Sequence, residues 1–389
     1  MDDLSHITHN AFALTPEQHS IRDMARGFAD EHLAPHALKW DAEKHFPLAV
    51  IRAVAPLGIG GIYVREDVGG SGLKRLDAAL VFEALSTGCP AVASYISIHN
   101  MVAWMIDKFG GAELRAAWLP RLTSMELLAS YCLTEPNAGS DAAALTTKAV
   151  RDGDHYLVTG VKQFISGAGA TELYAVMART GEPGPAGITA LILERGMPGL
   201  SFGPPERKMG WHAQPTCQVI MDQVRVPLAN RIGAEGQGFK IAMAGLDGGR
   251  LNIGACSLGG AQAAIEKATA YMKERRAFGR PIADFQALQF RLADMATELE
   301  AARTLLWRAA ATLDAGDPAA SGLCAMAKRF ATDTGFNVAN NALQLLGGYG
   351  YLHEYGIEKL VRDLRVHQIL EGTNEIMRVI ISRQILAPR

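Results

Sequence analysis

The pattern of the sequence changes at SYCLTEPNAGSD, residues 130–141. Its first five residues predict a short strand, which runs into a polar Pro-Asn-Ala-Gly loop. On the N-terminal side, apolar residues recur at helical spacing over roughly the first 125 residues. Within that part, Thr15-Pro16-Glu17-Gln18 predicts the start of a helix, because Thr15 can cap it and Gln18 completes a capping box.

On the C-terminal side of the same stretch, the chain predicts strands and then helices. Apolar, β-branched runs at 173–178 and 188–193 are separated by Gly/Pro clusters, which is typical of short strands. After Gly238 the pattern is helical to the end, and its clearest signal is an apolar seam with alternating steps of four and three residues. The seam consists of Leu288, Leu292, Met295, Leu299, Ala302, Leu306, Ala309 and Leu313. Because the flanks of the seam are apolar and poor in charge, we expect an antiparallel bundle rather than a coiled-coil dimer.

The order of helices, β unit and helices predicts an α+β fold. No regular alternation of strands and helices is visible, which argues against a doubly wound sheet. A chain of 389 residues is long enough for two or three structural units. We expect an N-terminal helical domain at 1–126, a middle β domain at 127–235 and a C-terminal helical bundle at 236–389.

Charge and hydropathy exclude several classes of protein. Lys and Arg number 38 and Asp and Glu 40, for a net charge of −2, which argues against a basic nucleic-acid binder or a polybasic membrane-surface protein. No apolar run approaches the roughly 20 residues of a membrane span. The polar, acidic start MDDLSHITHN lacks the order of a signal peptide. We therefore expect a cytoplasmic protein with neither nucleic acid nor membrane as a partner.

The cysteines and histidines predict neither disulfides nor a metal site. The five cysteines are widely scattered and form no C-x-x-C pair, which favours a reducing compartment. His32 and His36 have the i, i+4 spacing of a helical metal site, but Pro35 between them interrupts the helix face. The other histidines are isolated.

The 40 glycines match no common nucleotide-binding motif, and neither G-x-G-x-x-G after a strand nor a P-loop occurs. Two segments are nevertheless candidates for a functional site: the polar loop at 131–141, and the segment 369–375, ILEGTNE. In the second, Glu371 follows an apolar run and precedes Gly372. Burial there would raise the pKa of the carboxyl toward general-base function. Pattern alone favours a simpler interpretation, a helix N-terminus capped by Thr373, and leaves both open.

Four motifs in order resemble the acyl-CoA dehydrogenase family. They are YCLTEPNAGSD at 131–141, RRAFGRPIADFQ at 275–286, QLLGGYGY at 344–351 and HQILEGTNEIMR at 367–378. The resemblance covers residues 15–386 and implies a middle β-barrel or sheet domain and a C-terminal four-helix bundle. Within the family the chain is most similar to the branch that oxidises isobutyryl-CoA, through YISIHNM at 95–101, FISGAG at 164–169, GWHAQPT at 210–216 and GGR at 248–250. One departure is Asn137, where the family usually has Gly; Asn tolerates a left-handed backbone better than most residues.

The resemblance implies an FAD-dependent α,β-dehydrogenation of a short branched acyl-CoA, isobutyryl-CoA to methacrylyl-CoA, in valine catabolism. It implies electron-transferring flavoprotein as the acceptor and a homotetramer built as a dimer of dimers. Glu371 stands where the family has the glutamate that takes the α-proton while hydride passes to flavin N5. Gly249 stands where a few members carry that base instead, which favours Glu371. A short-chain or 2-methyl-branched acyl-CoA dehydrogenase, an acyl-CoA oxidase and a non-catalytic binding protein are the alternatives.

The other site residues follow from the same motifs. The residues that match FAD contacts of the family are Tyr131, Cys132, Leu133, Thr134, Gly139, Ser140, Phe164, Ile165, Ser166, Arg275, Phe278, Phe285, Gln286, Gln344, Leu345, Gly347, Gly348, Thr373, Asn374 and Glu375. The residues that match acyl-CoA contacts are Ser140, Asp247, Gly248, Gly249, Arg250, Leu370 and Arg383. Some of the FAD contacts reach the cofactor of a neighbouring subunit in the family.

Overall fold

The computed structural model describes residues 13–387 and consists of helices, one large sheet and helices again, in the predicted order. The N-terminal helices are α1 (Pro16–Phe28), α2 (Ala37–Glu43), α3 (Leu48–Arg52), α4 (Arg75–Gly88), α5 (Pro90–Phe109) and α6 (Ala112–Thr123). Thr15 caps α1 as predicted: its hydroxyl accepts from the Gln18 N–H, and the Gln18 side chain accepts from the Thr15 N–H. The acidic N-terminal segment used to predict a cytoplasmic location lies outside the described residues.

The middle part is an eight-stranded sheet. Its strands are β1 (Ala129–Cys132), β2 (Lys148–Asp152), β3 (His155–Ser166), β4 (Leu173–Arg179), β5 (Ile188–Glu194), β6 (Leu200–Phe202), β7 (Thr216–Pro227) and β8 (Arg231–Ile232). The order is β6-β7-β3-β2-β4-β5-β8, and β1 pairs with β4 in parallel. Of these, the sequence patterns predicted β1, β3, β4 and β5 individually. The mostly exposed β2, in which only Ala149 is buried, has no apolar run that would predict it.

The C-terminal part contains three long helices. Its elements are α7 (Gly238–Glu274), the hairpin strands β9 (Arg276–Ala277) and β10 (Arg280–Pro281), α8 (Gln286–Asp314), α9 (Ala320–Leu346), α10 (Ile357–Arg365) and α11 (Asn374–Leu386). The predicted seam lies on α8, whose 29 residues span about 43 Å. Its central members are buried, whereas Leu288, Leu292 and Leu313 are only partly buried. Because α8 and α9 pack together and only five residues join them, the two helices run antiparallel, as expected for a bundle.

The helical parts contact each other through α4 and α5, which both pack against α7. The end of β1 reaches the same region, because β1 packs against α5. All five cysteines are free and buried. Within residues 13–387, no helix is long and apolar enough to cross a membrane, and no group of His, Cys, Asp and Glu could hold a metal ion.

Candidate active site

The ends of β1 and β3 bring two predicted segments together. The Ser130 hydroxyl donates to the Ser166 carbonyl at 2.7 Å, and the Gln163 N–H donates to the Thr134 carbonyl at 2.8 Å. The β3–β7 register shifts between Lys162 and Ile165. This irregularity holds Phe164 at φ 59° with its side chain 63% exposed. A bulky side chain in this conformation, exposed at the end of a strand, is typical of a functional surface.

A buried ion pair that the sequence patterns did not indicate fixes the loop after β1. The Lys162 ammonium donates to the Leu133 carbonyl at 3.0 Å and to Glu135 Oε1 at 2.8 Å. Glu135 also accepts from the N–H groups of Thr146 and Thr147. Burial raises the pKa of Glu135, but the Lys162 charge and these hydrogen bonds outweigh burial and hold it at about 2. The loop is therefore anchored by an ionised carboxylate.

The same loop corrects the argument about Asn137. Asn137 has a negative φ, so tolerance of a left-handed backbone is not what this position requires. The turn is closed instead by Glu135 and Ala138, whose N–H and carbonyl groups bond reciprocally at 3.0 and 3.2 Å. Gly139 beyond the turn faces open space.

Glu371 lies in a left-handed turn directly before α11. Its φ is 57° and that of Gly372 is 86°. Thr373 caps α11 by accepting from the Ile376 N–H at 3.3 Å, so the helix cap and a buried carboxylate coexist. Glu371 Oε2 is buried and has no hydrogen-bond partner among the described residues. Burial raises the pKa of this carboxyl to about 7, although the charges of Arg250 and Lys328 oppose the shift.

The Glu371 carboxylate lies against α7 at Gly249. A Cβ at Gly249 would stand 2.5 Å from Glu371 Oε2 and 3.2 Å from Met101 Sδ, so only glycine leaves room for the carboxylate. The Tyr131 hydroxyl is also buried without a partner among residues 13–387. Burial, and secondly the Glu371 charge, raises the pKa of the Tyr131 phenol.

One turn of α7 carries four of the residues predicted to contact acyl-CoA, Asp247, Gly248, Gly249 and Arg250. Arg250 Nη1 lies 2.5 Å from Asp247 Oδ1, and Arg250 Nε donates to the Glu371 carbonyl at 3.4 Å. Asp247 also accepts from the Ser321 hydroxyl at 3.1 Å. A Cβ at Gly248 would collide with the guanidinium of the buried Arg75, so glycine leaves room for this cation.

Arg75 was missed by the sequence analysis. Its guanidinium lies 3.8 Å from the ring centroid of Tyr63 and 4.6 Å from that of Trp104. Such stacking stabilises a buried cation. Nothing in the sequence indicates that an arginine at the start of a helix is buried, so only the packing in the structure reveals Arg75.

A second cleft lies at the far end of α9 and has a volume of about 440 Å³. It is lined by Arg275, Gln344, Leu345, Gly347 and Gly348, all predicted cofactor residues, together with aromatic side chains. A Cβ at either glycine would meet nothing within 4 Å. The backbone there is open to a ligand.

The predicted cofactor residues thus fall into two places. Lys328, which contacts the Glu371 turn, and Gln344 in the second cleft are sixteen residues apart on α9, or about 24 Å. Phe278 in the turn of the β9–β10 hairpin and Phe285, directly before α8, form an edge-to-face pair at 6.0 Å, and Gln286 begins α8 there.

Several residues predicted to contact FAD or acyl-CoA differ in burial from the residues around Glu371. Cys132 and Ile165 have side chains buried in the sheet interior, which leaves only their backbones for a ligand. Asn374 is buried beside α9, Glu375 is exposed, and Arg383 is exposed near the end of α11. Ser140 is exposed on the loop after β1, and the partly buried Leu370 precedes the base turn.

Comparison with known proteins covers all three parts of the chain. Family models match residues 15–126 as acyl-CoA dehydrogenase, N-terminal domain, residues 130–224 as the middle domain and residues 236–386 as the C-terminal domain. The chain is 55% identical over 380 residues to a Dictyostelium discoideum protein named isobutyryl-CoA dehydrogenase, mitochondrial, covering 97% of this chain and 91% of the relative. A Bos taurus protein of the same name is 54% identical, covering 97% and 90%.

Solved structures show the same relation. A chain in a structure described as the electron transferring flavoprotein of Acidaminococcus fermentans superposes with a TM-score of 0.95 at 42% identity, covering 97% of this chain and 100% of that one. The FAD complex of PigA superposes with a TM-score of 0.93 at 29% identity, covering 97% and 99%. From the three family matches and the identity over nearly the whole length, the chain belongs to the acyl-CoA dehydrogenase family of oxidoreductases.

Proposed function

We propose that this protein is an FAD-dependent dehydrogenase that converts isobutyryl-CoA to methacrylyl-CoA, with Glu371 as the base. The single observation that carries the proposal is the buried Glu371 Oε2, which lacks a hydrogen-bond partner within residues 13–387 and lies beside Gly249. The names of the relatives that are 54–55% identical support the substrate.

The residues present fit FAD. At the strand ends, the exposed Phe164 ring offers an apolar surface for a flat ring system. Beside it, Gln214 donates to the Ser166 hydroxyl at 3.3 Å, while Gln214 Oε1 is buried without a partner in the described part of the chain. Polar groups of a ligand would satisfy this oxygen and the Tyr131 hydroxyl. Gln214 contacts the predicted FAD residue Ser166, but the sequence analysis did not predict a role for Gln214 itself.

The second cleft fits the other end of FAD. The Arg275 guanidinium provides a delocalised cation for phosphate oxygens, and Gly347 and Gly348 expose their backbone. The two places are about 24 Å apart along α9, which favours the interpretation that this cleft holds part of the FAD of a neighbouring subunit.

Glu371 would remove the α-proton of the thioester. Desolvation raises its pKa to about 7, which makes the carboxylate a stronger base than an exposed glutamate while much of it stays ionised at neutral pH. The Glu371 N–H donates to no backbone acceptor within the described residues, so it is free to donate to the thioester oxygen as charge develops there. FAD, when bound, supplies the acceptor for the hydride that leaves the β-carbon.

Substrate selection is assigned to residues beside the base. Gly249 leaves room for the Glu371 carboxylate, and Leu370 directly precedes the base on the same turn. We assign to the pocket beside this carboxylate, with Gly249 and Leu370 at its wall, the space for the branched carbon, and to Asp247, Arg250 and Arg383 the contacts with CoA. The proposal includes electron-transferring flavoprotein as the acceptor, a homotetramer, a cytoplasmic location and the domain limits given above. The two relatives are named as mitochondrial.

The test is anaerobic mixing of the purified holoenzyme with a panel of acyl-CoAs, followed by bleaching of the flavin absorbance. Isobutyryl-CoA should bleach the flavin fastest. Much faster bleaching by butyryl-CoA or 2-methylbutyryl-CoA would contradict the substrate and favour a short-chain or 2-methyl-branched enzyme. Rapid peroxide production in air without an added acceptor would favour an oxidase. A purified protein that cannot be reconstituted with FAD would contradict the enzyme itself.

A further inference from the structure

Lys328 lies in the interior of α9 directly beneath the turn that carries Glu371. Its side chain is fully buried, and its ammonium donates to the Gly372 carbonyl at 2.8 Å and to Asn374 Oδ1 at 2.9 Å. Thr332, one turn further along α9, contacts the same Asn374 amide. Lys328 therefore ties the base turn to α9 from below.

The buried ammonium of Lys328 differs from the other two buried lysines of the described chain. Lys162 pairs with Glu135 at 2.8 Å and Lys359 pairs with Asp363 at 2.6 Å. Lys328 donates instead to two neutral oxygens, with no carboxylate within 4 Å among the described residues. An ion pair offsets the loss of hydration of a buried charge. The Lys328 ammonium therefore lies against the base turn without an ion-pair partner of its own.

Glu371 is the group on which that charge acts. Burial raises the pKa of Glu371 and lowers that of Lys328 to about 7. The opposite charge of each group works against the shift of the other. Lys328 and Arg250 hold the turn from two helices, since Arg250 donates to the Glu371 carbonyl and Lys328 to that of Gly372. Two consecutive left-handed residues need such external support.

We propose that Lys328 is a positioning residue for the base: it fixes the Glu371–Gly372 turn and, on the acid limb where its amine is protonated, holds a positive charge beside the carboxylate. The inference rests on the proposed role of Glu371. The titratable and charged groups around the pair come from several elements: Arg250 on α7, Asp333 on α9, the buried His367 between α10 and α11, Glu375 on α11, Tyr131 on β1 and Tyr63 before α4. Of these, only Arg250 brings a second positive charge to the Glu371 carboxylate.

The experiment compares Lys328→Gln, Lys328→Met and Lys328→Arg as FAD-loaded holoenzymes, using the rate of flavin reduction between pH 5.5 and 9. An opposite charge close to a carboxyl lowers its pKa by roughly one unit or more. We therefore expect the acid limb of the profile to move up by about one pH unit in Lys328→Gln and Lys328→Met. Lys328→Arg should keep the limb within about 0.3 unit of the wild type, because it keeps the charge. In Lys328→Gln and Lys328→Met the base turn loses its support from α9. The plateau rate of these two variants should therefore fall roughly tenfold to 100-fold.

Lys267→Met is the matched control, because Lys267 is exposed on α7 and the variant removes the same charge far from the turn. Its acid limb should not move. An unchanged limb in the folded, FAD-loaded Lys328→Gln variant would overturn the proposal, as would equal limbs for Lys328→Gln and Lys328→Arg. Loss of FAD from all three Lys328 variants would show that Lys328 only maintains the folded structure. That result would also overturn the proposal. Failure of the wild type to reduce its flavin with any acyl-CoA would contradict the proposed function instead.

Discussion

Glu371 and Gly249 share one small volume between α11 and α7. The carboxylate fills the space that a side chain at Gly249 would need. No hydrogen-bond donor within residues 13–387 contacts Glu371 Oε2. The sequence could place the acidic residue beside Gly372, and the family motif gave it a role. The sequence could not show Lys328 or Arg75, because a single cation in a helix gives no sign of which face is buried.

Gly249→Ala tests the shared volume. A Cβ there would stand 2.5 Å from Glu371 Oε2, so the carboxylate must shift, and a misplacement of about 1 Å costs roughly 100-fold in rate. Stopped-flow flavin reduction by isobutyryl-CoA should therefore slow by that order. Gly27→Ala is the control, since nothing lies within 4 Å of its added Cβ and its rate should not change. Normal reduction by Gly249→Ala would show that the carboxylate does not react from this position.

The pH dependence of the free enzyme follows from the raised pKa of Glu371. The base must be ionised, and burial moves its pKa from 4.5 to about 7. Below pH 7 the ionised fraction falls, so kcat/KM should drop about tenfold per pH unit and level off above pH 7. Steady-state rates with an artificial electron acceptor across pH 5–9 measure this limb. A rate that stays flat down to pH 5 would mean that the base has the ordinary pKa of a solvated glutamate in the free enzyme.

At the scale of elements, α8 shows what an apolar pattern can predict. The seam on α8 is buried along its centre against α7 and α9, because a spacing of four and three residues keeps one face of a helix on its neighbours. The loop after β1 shows the limit: Asn137 does not need a left-handed backbone, and the Lys162–Glu135 pair that anchors the loop joins residues 27 positions apart. Such a pairing depends on the register of the sheet, which a single sequence does not contain.

The contact between α7 and α8 can be tested by a double-mutant cycle. A Cβ at Gly254 would stand 2.5 Å from Leu306 Cδ1, so Gly254→Ala should be destabilised by crowding. Leu306→Ala removes a fully buried side chain and should lower the free energy of unfolding by about 2–5 kcal/mol. The double variant should lose at least about 1 kcal/mol less than the sum, as chemical denaturation would show. Strict additivity would contradict the packing.

At the scale of the whole molecule, the two halves of the predicted cofactor site lie about 24 Å apart along α9. Large apolar side chains are also exposed on the chain, among them Phe278 at 94%, Tyr351 at 83% and Leu386 at 81%. Where such side chains lie together in one patch, they favour an interface. Both features support an assembly in which neighbouring chains complete each other's FAD sites.

The assembly predicts a definite mass. Light scattering on the holoenzyme should give about four times the chain mass of 41.7 kDa, independent of concentration over the micromolar range. FAD content should remain proportional to tetramer, because in the proposed assembly each site draws on two chains. A stable monomer that retains FAD would contradict both the tetramer and the shared site.

The central claim is that Glu371 takes the α-proton, and Glu371→Gln tests it most directly. The substitution keeps the size of the side chain and removes the base, which contributes about 10²–10⁴-fold to such a step. The variant should bind FAD and isobutyryl-CoA like the wild type, while anaerobic flavin bleaching slows by at least the upper end of that range. Bleaching within about tenfold of the wild-type rate would contradict the account.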